Sequence, residues 1–264
     1  MGNPKAMLID VTMCVGCGAC QAACKVENHL PEGVEPDLSP TAYTALHEVN
    51  GAYVRRMCRH CLEPTCVSVC PVGAFTKLAE GPVLYDANKC IGCRYCIQAC
   101  PFQAPRYEWA STYPKVSKCR FCAERVKAGM QPACAEACPT GATKFGDRDA
   151  LIKEAYERMA AEPGKYVNKI YGLNEVGGTS ILYLSAVPFE QLGFNTRLQQ
   201  TPLPELTENV LSKLPGVVTM GGVFLYGIWW ITNRRNEVAR LEGQLSEARK
   251  QAKRNDDPNP KPEA

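Results

Sequence analysis

The stretch CIGCRYCIQACP, residues 90–101, places four cysteines within eleven residues and ends on a proline. Thiolates at such short intervals can bind a metal ion or an iron–sulfur cluster, and oxidised cysteines form disulfides. The chain has 16 cysteines among 264 residues, and all of them lie between residues 14 and 138. They form four groups of four: Cys14, Cys17, Cys20 and Cys24; Cys58, Cys61, Cys66 and Cys70; Cys90, Cys93, Cys96 and Cys100; Cys119, Cys122, Cys134 and Cys138. The cysteine-free remainder must therefore have a different role.

Three kinds of chemistry use closely spaced cysteines, and the spacing distinguishes them. A disulfide framework is typical of small secreted domains, and cysteines two residues apart are poorly placed to join several distant loops. Zinc ribbons usually separate two C-x2-C pairs by a long loop. The spacing C-x2-C-x2-C-x3-C-P is that of bacterial ferredoxins, in which three cysteines bind one cluster and the fourth binds another. The sequence therefore predicts iron–sulfur clusters.

The repeat extends beyond the cysteines, since residues 66–74, 96–104 and 134–142 all read C-x3-C-P-x2-A. The first group departs from this pattern, because Lys25 and not proline follows Cys24. The second and fourth groups have longer internal loops, of four and eleven residues. Four complete groups predict four [4Fe–4S] clusters and about 16 irons, because each such cluster takes four thiolates. No three-iron cluster is expected.

Exchange of the fourth cysteines joins the clusters in pairs, and the residues alone allow two pairings. Sequential pairing joins the first group with the second and the third with the fourth. Nested pairing joins the first group with the fourth and the second with the third.

Residues 5–147 as a whole resemble the four-cluster ferredoxin subunits that transfer electrons in membrane-bound formate dehydrogenases, nickel–iron hydrogenases and related molybdoenzymes. The resemblance implies nested pairing. One cluster would then be held by Cys14, Cys17, Cys20 and Cys138, and its pair by Cys119, Cys122, Cys134 and Cys24. The inner pair would be held by Cys58, Cys61, Cys66 and Cys100, and by Cys90, Cys93, Cys96 and Cys70.

Short strands and turns are expected around the cysteines. Four segments have strand character: residues 7–10, 53–56, 75–77 and 83–86. Gly81-Pro82 marks a turn between the last two. With the resemblance, these elements predict an α+β fold over residues 1–147, a bacterial ferredoxin-like domain doubled by pseudo-symmetry. Residues 25–57 are expected to be a long polar insertion that is either solvated or in contact with a partner.

Residues 148–213 are expected to form a helical and stranded extension with a linker. Apolar residues recur on one face between Asp147 and Ala161, which predicts an amphipathic helix capped by Asp147 and packed on the core. The apolar run 181–187 predicts a buried strand. Residues 171–194 resemble the corresponding segment of the hydrogenase-linked and formate-dehydrogenase-linked members of the family.

Residues 214–233 form an uncharged run long enough for one C-terminal transmembrane helix. Trp229 and Trp230 lie where an interfacial aromatic belt would place them. The 20 residues after the run contain six lysines and arginines, and the 20 before it contain two. Positive-inside bias then predicts a single-pass protein, with the cluster domain in the periplasm and residues 234–264 in the cytoplasm as a helix and a disordered tail.

Residues 1–13, MGNPKAMLIDVTM, contain no apolar segment of the kind that secretory signals carry. Outward export then requires translocation with a signal-bearing partner, as the resemblance to formate dehydrogenase subunits also implies. The alternatives are a removed leader segment or a complex that faces the cytoplasm.

No part of the sequence predicts a substrate site. The three histidines, His29, His47 and His60, are scattered. His60 lies between Cys58 and Cys61, where a hydrogen bond to a cluster or plain exposure is expected rather than ligation. A net charge of +3 gives no indication of nucleic acid binding. The chain is therefore expected to be a non-catalytic electron-transfer subunit.

Four paired clusters on a membrane anchor predict a relay for single electrons. The resemblance implies a catalytic partner that contains molybdenum, tungsten or nickel–iron, of the formate dehydrogenase or hydrogenase type. It also implies an integral-membrane, quinone-reactive subunit such as a cytochrome b. The alternative is a stand-alone polyferredoxin, tethered to the lipid bilayer, that carries electrons between diffusible partners.

Overall fold

The computed structural model describes residues 4–255, and the chain divides after Leu206 into two units. The strands, in chain order, are β1 (Lys5–Asp10), β2 (Thr44–Val49), β3 (Ala52–Met57), β4 (Phe75–Lys77), β5 (Val83–Tyr85), β6 (Arg106–Tyr107), β7 (Val116–Ser117), β8 (Thr143–Asp147) and β9 (Ile181–Leu184). The helices are α1 (Ala19–Glu27), α2 (Thr65–Ser68), α3 (Tyr95–Gln98), α4 (Ala123–Lys127), α5 (Ala133–Glu136), α6 (Arg148–Ala161), α7 (Leu203–Leu211) and α8 (Leu214–Asn255). All the cysteines lie in the first unit.

Strand β1 is the centre of a three-stranded sheet, with β8 antiparallel on one side and β9 parallel on the other. Its side chains alternate between two apolar clusters, as strand geometry requires. Met7 and Ile9 face the core that contains the cysteines, while Ala6 and Leu8 face α6. The sheet therefore separates the cysteine-bearing layer from a covering helix.

Helix α6 confirms the predicted amphipathic helix, with Leu151 and Ala155 buried against the sheet. Asp147 stands at the N-cap position, but its side chain makes no capping hydrogen bond. It accepts a hydrogen bond of 2.6 Å from Lys5 Nζ instead. This aspartate therefore ties β8 to β1, and its predicted capping role was wrong.

The expected insertion, residues 25–57, is more structured than its polar composition indicated. Strands β2 and β3 pair in an antiparallel hairpin. Asn50 and Gly51 join them with φ values of 52° and 74°, the left-handed pair of a type I′ turn. Val54 is fully buried in the cysteine core. The second half of the insertion is therefore a structural hairpin, and a solvated loop was the wrong expectation for it.

The remaining strand predictions are confirmed, with small differences at their ends. β4 and β5 form the hairpin expected on either side of Gly81-Pro82. β9 ends at Leu184 and not at residue 187, because Ser185 Oγ accepts a hydrogen bond of 3.0 Å from Val187 N–H and turns the chain.

The segment after α6 packs on the cysteine core through aromatic rings. The Tyr171 and Phe194 rings lie 4.7 Å apart between centroids, and those of Tyr183 and Phe194 lie 5.2 Å apart. Tyr183 Oη also donates a hydrogen bond of 2.8 Å to the carbonyl of Arg55 on β3. The extension is thus part of the first unit and holds the hairpin in place.

Helix α8 runs through the predicted transmembrane residues and continues to Asn255 without a break. Among the described residues it contains the one stretch that is long and apolar enough to cross a membrane. Its apolar side chains are exposed, including Phe224 at 69% and Trp230 at 58%. The predicted disordered tail falls mainly on residues 256–264, which lie outside the described part of the chain.

Gly172 should not tolerate a side chain, because its φ is +96° and a Cβ atom would lie 2.4 Å from the Ile181 carbonyl oxygen. Gly164 has a similar φ of +87° but no neighbour within 4 Å, so it is the matched control. We expect Gly172→Ala to cost about 1–3 kcal/mol more than Gly164→Ala. Thermal unfolding of the two cluster-loaded variants measures this difference, and equal melting temperatures would contradict it.

Candidate iron–sulfur sites

The four C-x2-C loops share one backbone feature, which is a left-handed residue just before the second cysteine. These residues are Gly16 (φ 73°), His60 (φ 47°), Gly92 (φ 72°) and Phe121 (φ 59°). The turn directs N–H groups at sulfur: Gly92 N–H donates to Cys90 Sγ at 3.4 Å, and Phe121 N–H donates to Cys119 Sγ at 3.3 Å. Such donors stabilise thiolates.

Side-chain space decides which residue type each loop carries. A Cβ atom at Gly16 would lie 2.6 Å from the Tyr53 ring, so this position needs glycine. His60 and Phe121 adopt the same backbone region despite their side chains, at a cost of about 1–3 kcal/mol each. Both are fully buried, and their rings pack with centroids 4.9 Å apart. That contact offsets the strain and fills the centre of the cysteine core.

Short helices place the third cysteine of each group. Cys20, Cys66, Cys96 and Cys134 lie in α1, α2, α3 and α5, respectively. Helix α1 packs against α5, and α2 packs against α3. The first and last groups therefore meet, as do the second and third.

The thiols gather in four sites, defined here by their cysteines. Site A contains Cys14, Cys17, Cys20 and Cys138; site B contains Cys24, Cys119, Cys122 and Cys134; site C contains Cys58, Cys61, Cys66 and Cys100; site D contains Cys70, Cys90, Cys93 and Cys96. All four cysteines of site A line one cavity. Each site thus combines three cysteines of one group with the fourth of another.

In the other three sites, the cysteines that act on one another's pKa show which thiols are neighbours. In site B the pKa of the Cys24 thiol is raised to about 12, first by burial and then by the Cys134 and Cys122 thiols. In site C the pKa of Cys61 lies well above its ordinary value because of burial and then the thiols of Cys58, Cys100 and Cys66. In site D the pKa of the Cys96 thiol is raised to about 11, first by burial and then by the thiols of Cys90, Cys93 and Cys70.

Contacts between sites place them in the order A, B, C, D. In each case below, burial is the main cause that raises the pKa of a thiol, and a thiol of the neighbouring site raises it as well. The Cys134 thiol of site B acts on Cys20 of site A, and the Cys58 thiol of site C acts on Cys119 of site B. The Cys96 thiol of site D acts on Cys66 of site C. The four sites therefore form a continuous series.

The donor set fits iron–sulfur clusters. Four thiols that share a desolvated site resist ionisation, so they can become thiolates together only around a cationic centre. The described residues contain no group of three side chains arranged to bind a single metal ion. In this core, buried N–H groups of Arg55 and His60 have no hydrogen-bond partner among the described residues, and the Arg55 guanidinium interacts with the Cys134 and Cys20 sulfurs. Hydrogen bonds to cluster sulfurs would satisfy such donors.

His60 is fully buried, so plain exposure was the wrong alternative for it. Its Nδ1 accepts a hydrogen bond of 3.0 Å from Val83 N–H, which leaves Nε2 as the protonated nitrogen. Nε2 has no partner among the described residues. Burial holds the pKa of His60 well below its ordinary value, and the Lys118 and Lys77 charges lower it further, so the ring is neutral.

Buried Lys118 and half-buried Lys77 lie near the inner sites, and sequence reasoning did not identify them. Lys77 Nζ donates to the Cys61 and Gly81 carbonyl oxygens at 2.8 and 2.7 Å. Lys118 Nζ donates to the Val83 carbonyl oxygen at 2.5 Å and to that of Cys119 at 3.1 Å. These ammonium groups bring positive charge to the thiols of site C while backbone carbonyls accept their hydrogen bonds.

Comparison with known proteins agrees with this geometry. Residues 49–148 match the family model described as a 4Fe-4S dicluster domain. A protein of Nitratidesulfovibrio vulgaris is 39% identical over 264 residues, which cover 93% of this chain and 71% of that protein. Hydrogenase-2 operon protein HybA of Escherichia coli O157:H7 is 38% identical, with 90% of this chain and 86% of HybA covered.

A third relative is the iron-sulfur subunit of the nitrate-inducible formate dehydrogenase of Escherichia coli K12. It is 37% identical over 199 residues, which cover 68% of this chain and 67% of that subunit. The cysteine sites and these relatives support the same conclusion. The chain belongs to the ferredoxin-like iron–sulfur subunits of oxidoreductases, which transfer electrons and do not carry the catalytic site.

Proposed function

We propose that sites A, B, C and D each hold one [4Fe–4S] cluster and that the chain relays single electrons along this series. The observation that carries the proposal is the grouping of the cysteines, in which every site takes its fourth cysteine from another group. The backbone that leads to the fourth cysteine of each group therefore links two sites covalently, A with B and C with D. The clusters supply one-electron redox chemistry, and the protein holds them in order. On this proposal the ferredoxin-like domain is doubled.

The two ends of the series are the points where electrons enter and leave. Cys17 of site A and Cys93 of site D are exposed. Apolar residues beside them face solvent, with Val15 60% and Ile91 65% exposed in the corresponding loops. Exposed apolar residues next to a redox site favour contact with a partner protein. Sites B and C lie between the ends, so an electron that crosses the domain passes through them.

Counting iron distinguishes nested from sequential pairing. In the nested arrangement Cys100 and Cys61 serve the same cluster, so Cys100→Ala with Cys61→Ala should retain about 12 of about 16 irons. Combining Cys100→Ala with Cys122→Ala removes ligands from two clusters and should leave about 8. Sequential pairing reverses the two results. Iron and acid-labile sulfide are measured per chain on the purified full-length variants.

We propose that the partners are a catalytic subunit of the formate dehydrogenase or hydrogenase type and a quinone-reactive membrane subunit. The relatives named for hydrogenase-2 and formate dehydrogenase support the first, and α8 supports the second. Metal analysis of the native complex should find molybdenum, tungsten or nickel with the iron. A lone chain that contains iron alone would favour the stand-alone polyferredoxin instead.

We propose that residues 214–233 of α8 span the membrane, with the cysteine unit outside and the residues after the span in the cytoplasm. Six basic residues in the 20 positions after the span, against two before it, support this orientation.

Protease added to intact spheroplasts should therefore digest the cysteine unit and spare an epitope tag placed at the C-terminus. Digestion of both regions after lysis is the control. A cysteine unit that resists protease until the spheroplasts are lysed would contradict the outward orientation.

A further inference from the structure

A single arginine side chain lies between sites A and B. Arg55 belongs to β3 and is 2% exposed. It lines the cavity formed by the four cysteines of site A. Although burial alone would lower the pKa of Arg55, the sulfur of Cys134 in site B and then that of Cys20 in site A raise it. The guanidinium thus interacts with the thiols of both sites.

This guanidinium has no carboxylate partner among the described residues. Its Nη2 contacts Met7 Sδ at 3.7 Å, while Nε and Nη1 are buried without a hydrogen-bond partner. Two other basic side chains of the first unit have carboxylate partners. Lys25 pairs with Glu35 at 2.8 Å, and Arg158 pairs with Asp10 at 2.9 Å. Arg55 differs from both, because its guanidinium interacts with the sulfurs of Cys134 and Cys20 and not with a carboxylate.

A buried cation without a counter-charge is strongly unfavourable, and an arginine keeps its proton in proteins. The counter-charge must therefore come from the groups that surround Arg55, which are the thiolates of the two neighbouring sites when these hold clusters. We propose that Arg55 is the shared counter-cation of sites A and B and raises the reduction potentials of the clusters bound there. This inference rests on the ligation proposed above.

The direction of the effect follows from charge. One electron added at site A or site B increases the negative charge there by one and involves no bond or proton. A nearby positive charge stabilises that added negative charge, so it favours the reduced state. Because the guanidinium is fixed in a dry space, solvent and salt screen it little. Lys77 and Lys118 act on the thiols of site C instead. Sites C and D, which come later in the series, should therefore depend far less on Arg55.

Potentiometric titration followed by EPR tests the proposal on the full chain with its clusters in detergent. Arg55→Met removes the charge and keeps an unbranched side chain, and Arg55→Lys keeps the charge. Arg56→Met is the matched control, since Arg56 is the next residue on β3 and donates to the Leu192 carbonyl at 2.6 Å. Cysteine variants of each site assign the signals.

For Arg55→Met we expect the ratio of reduced to oxidised cluster at sites A and B to fall at least about tenfold at a fixed potential, which is 59 mV for one electron. Arg55→Lys should restore most of this shift. Arg56→Met should change the ratio less than about twofold at every site, a shift well within one such decade. If Arg55→Met does not retain its iron, Arg55→Gln is titrated in its place against the same criteria.

The proposal is overturned if a neutral variant that holds its full iron keeps the wild-type potentials at sites A and B. It is also overturned if Arg55→Lys shifts them as far as the neutral variants do, since charge would then not be the cause. Failure of the proposed ligation is separate, because it appears as missing iron in the wild-type chain before any potential is measured.

Discussion

On the proposed ligation, the fold depends on the requirement that each cysteine site take its fourth thiol from a distant segment. Site A joins Cys14 to Cys138, and site C joins Cys58 to Cys100. A ligand shared in this way closes a long loop, which restricts the unfolded chain much as a disulfide does. The helix pairs α1–α5 and α2–α3 hold these segments together. Helices of four residues, such as α2 and α3, have little stability of their own, so they depend on this packing.

The same sites impose an electrostatic condition on the core. Burial opposes ionisation of the thiols, so the cluster-free chain holds protons that must leave when the sites are loaded. Loading is therefore favoured as the pH rises. Once loaded, the sites are negative centres in a low-dielectric interior, and buried Arg55 and Lys118, with half-buried Lys77, gain counter-charges. Cations that are unfavourable in an apolar core are therefore compensated by the negative charge of the expected clusters. Because Arg55 lies by sites A and B and the lysines by site C, the two pairs of sites differ in their nearby positive charge.

The sequence indicated the parts of the fold that depend on local spacing. The C-x2-C loops, β1, β4, α6 and the apolar run in α8 all follow from short-range patterns, and the structure contains them. Strand β2 was missed because ALHE at its centre has no clear alternation, although Asn50-Gly51 was a usable hairpin signal. The burial of His60 and Arg55 could not be read locally. It arises from Phe121 and from Tyr183, residues 61 and 128 positions further along the chain.

The central claim is that four [4Fe–4S] clusters lie in one row in the order A, B, C, D. Anomalous diffraction at the iron absorption edge, from crystals of the loaded chain or its complex, measures this directly. Four separate peaks should appear, with the clusters of Cys17 and Cys93 at opposite ends and those of Cys24 and Cys61 between them. Fewer than four peaks, or a row in which the Cys93 cluster lies between two others, would contradict it.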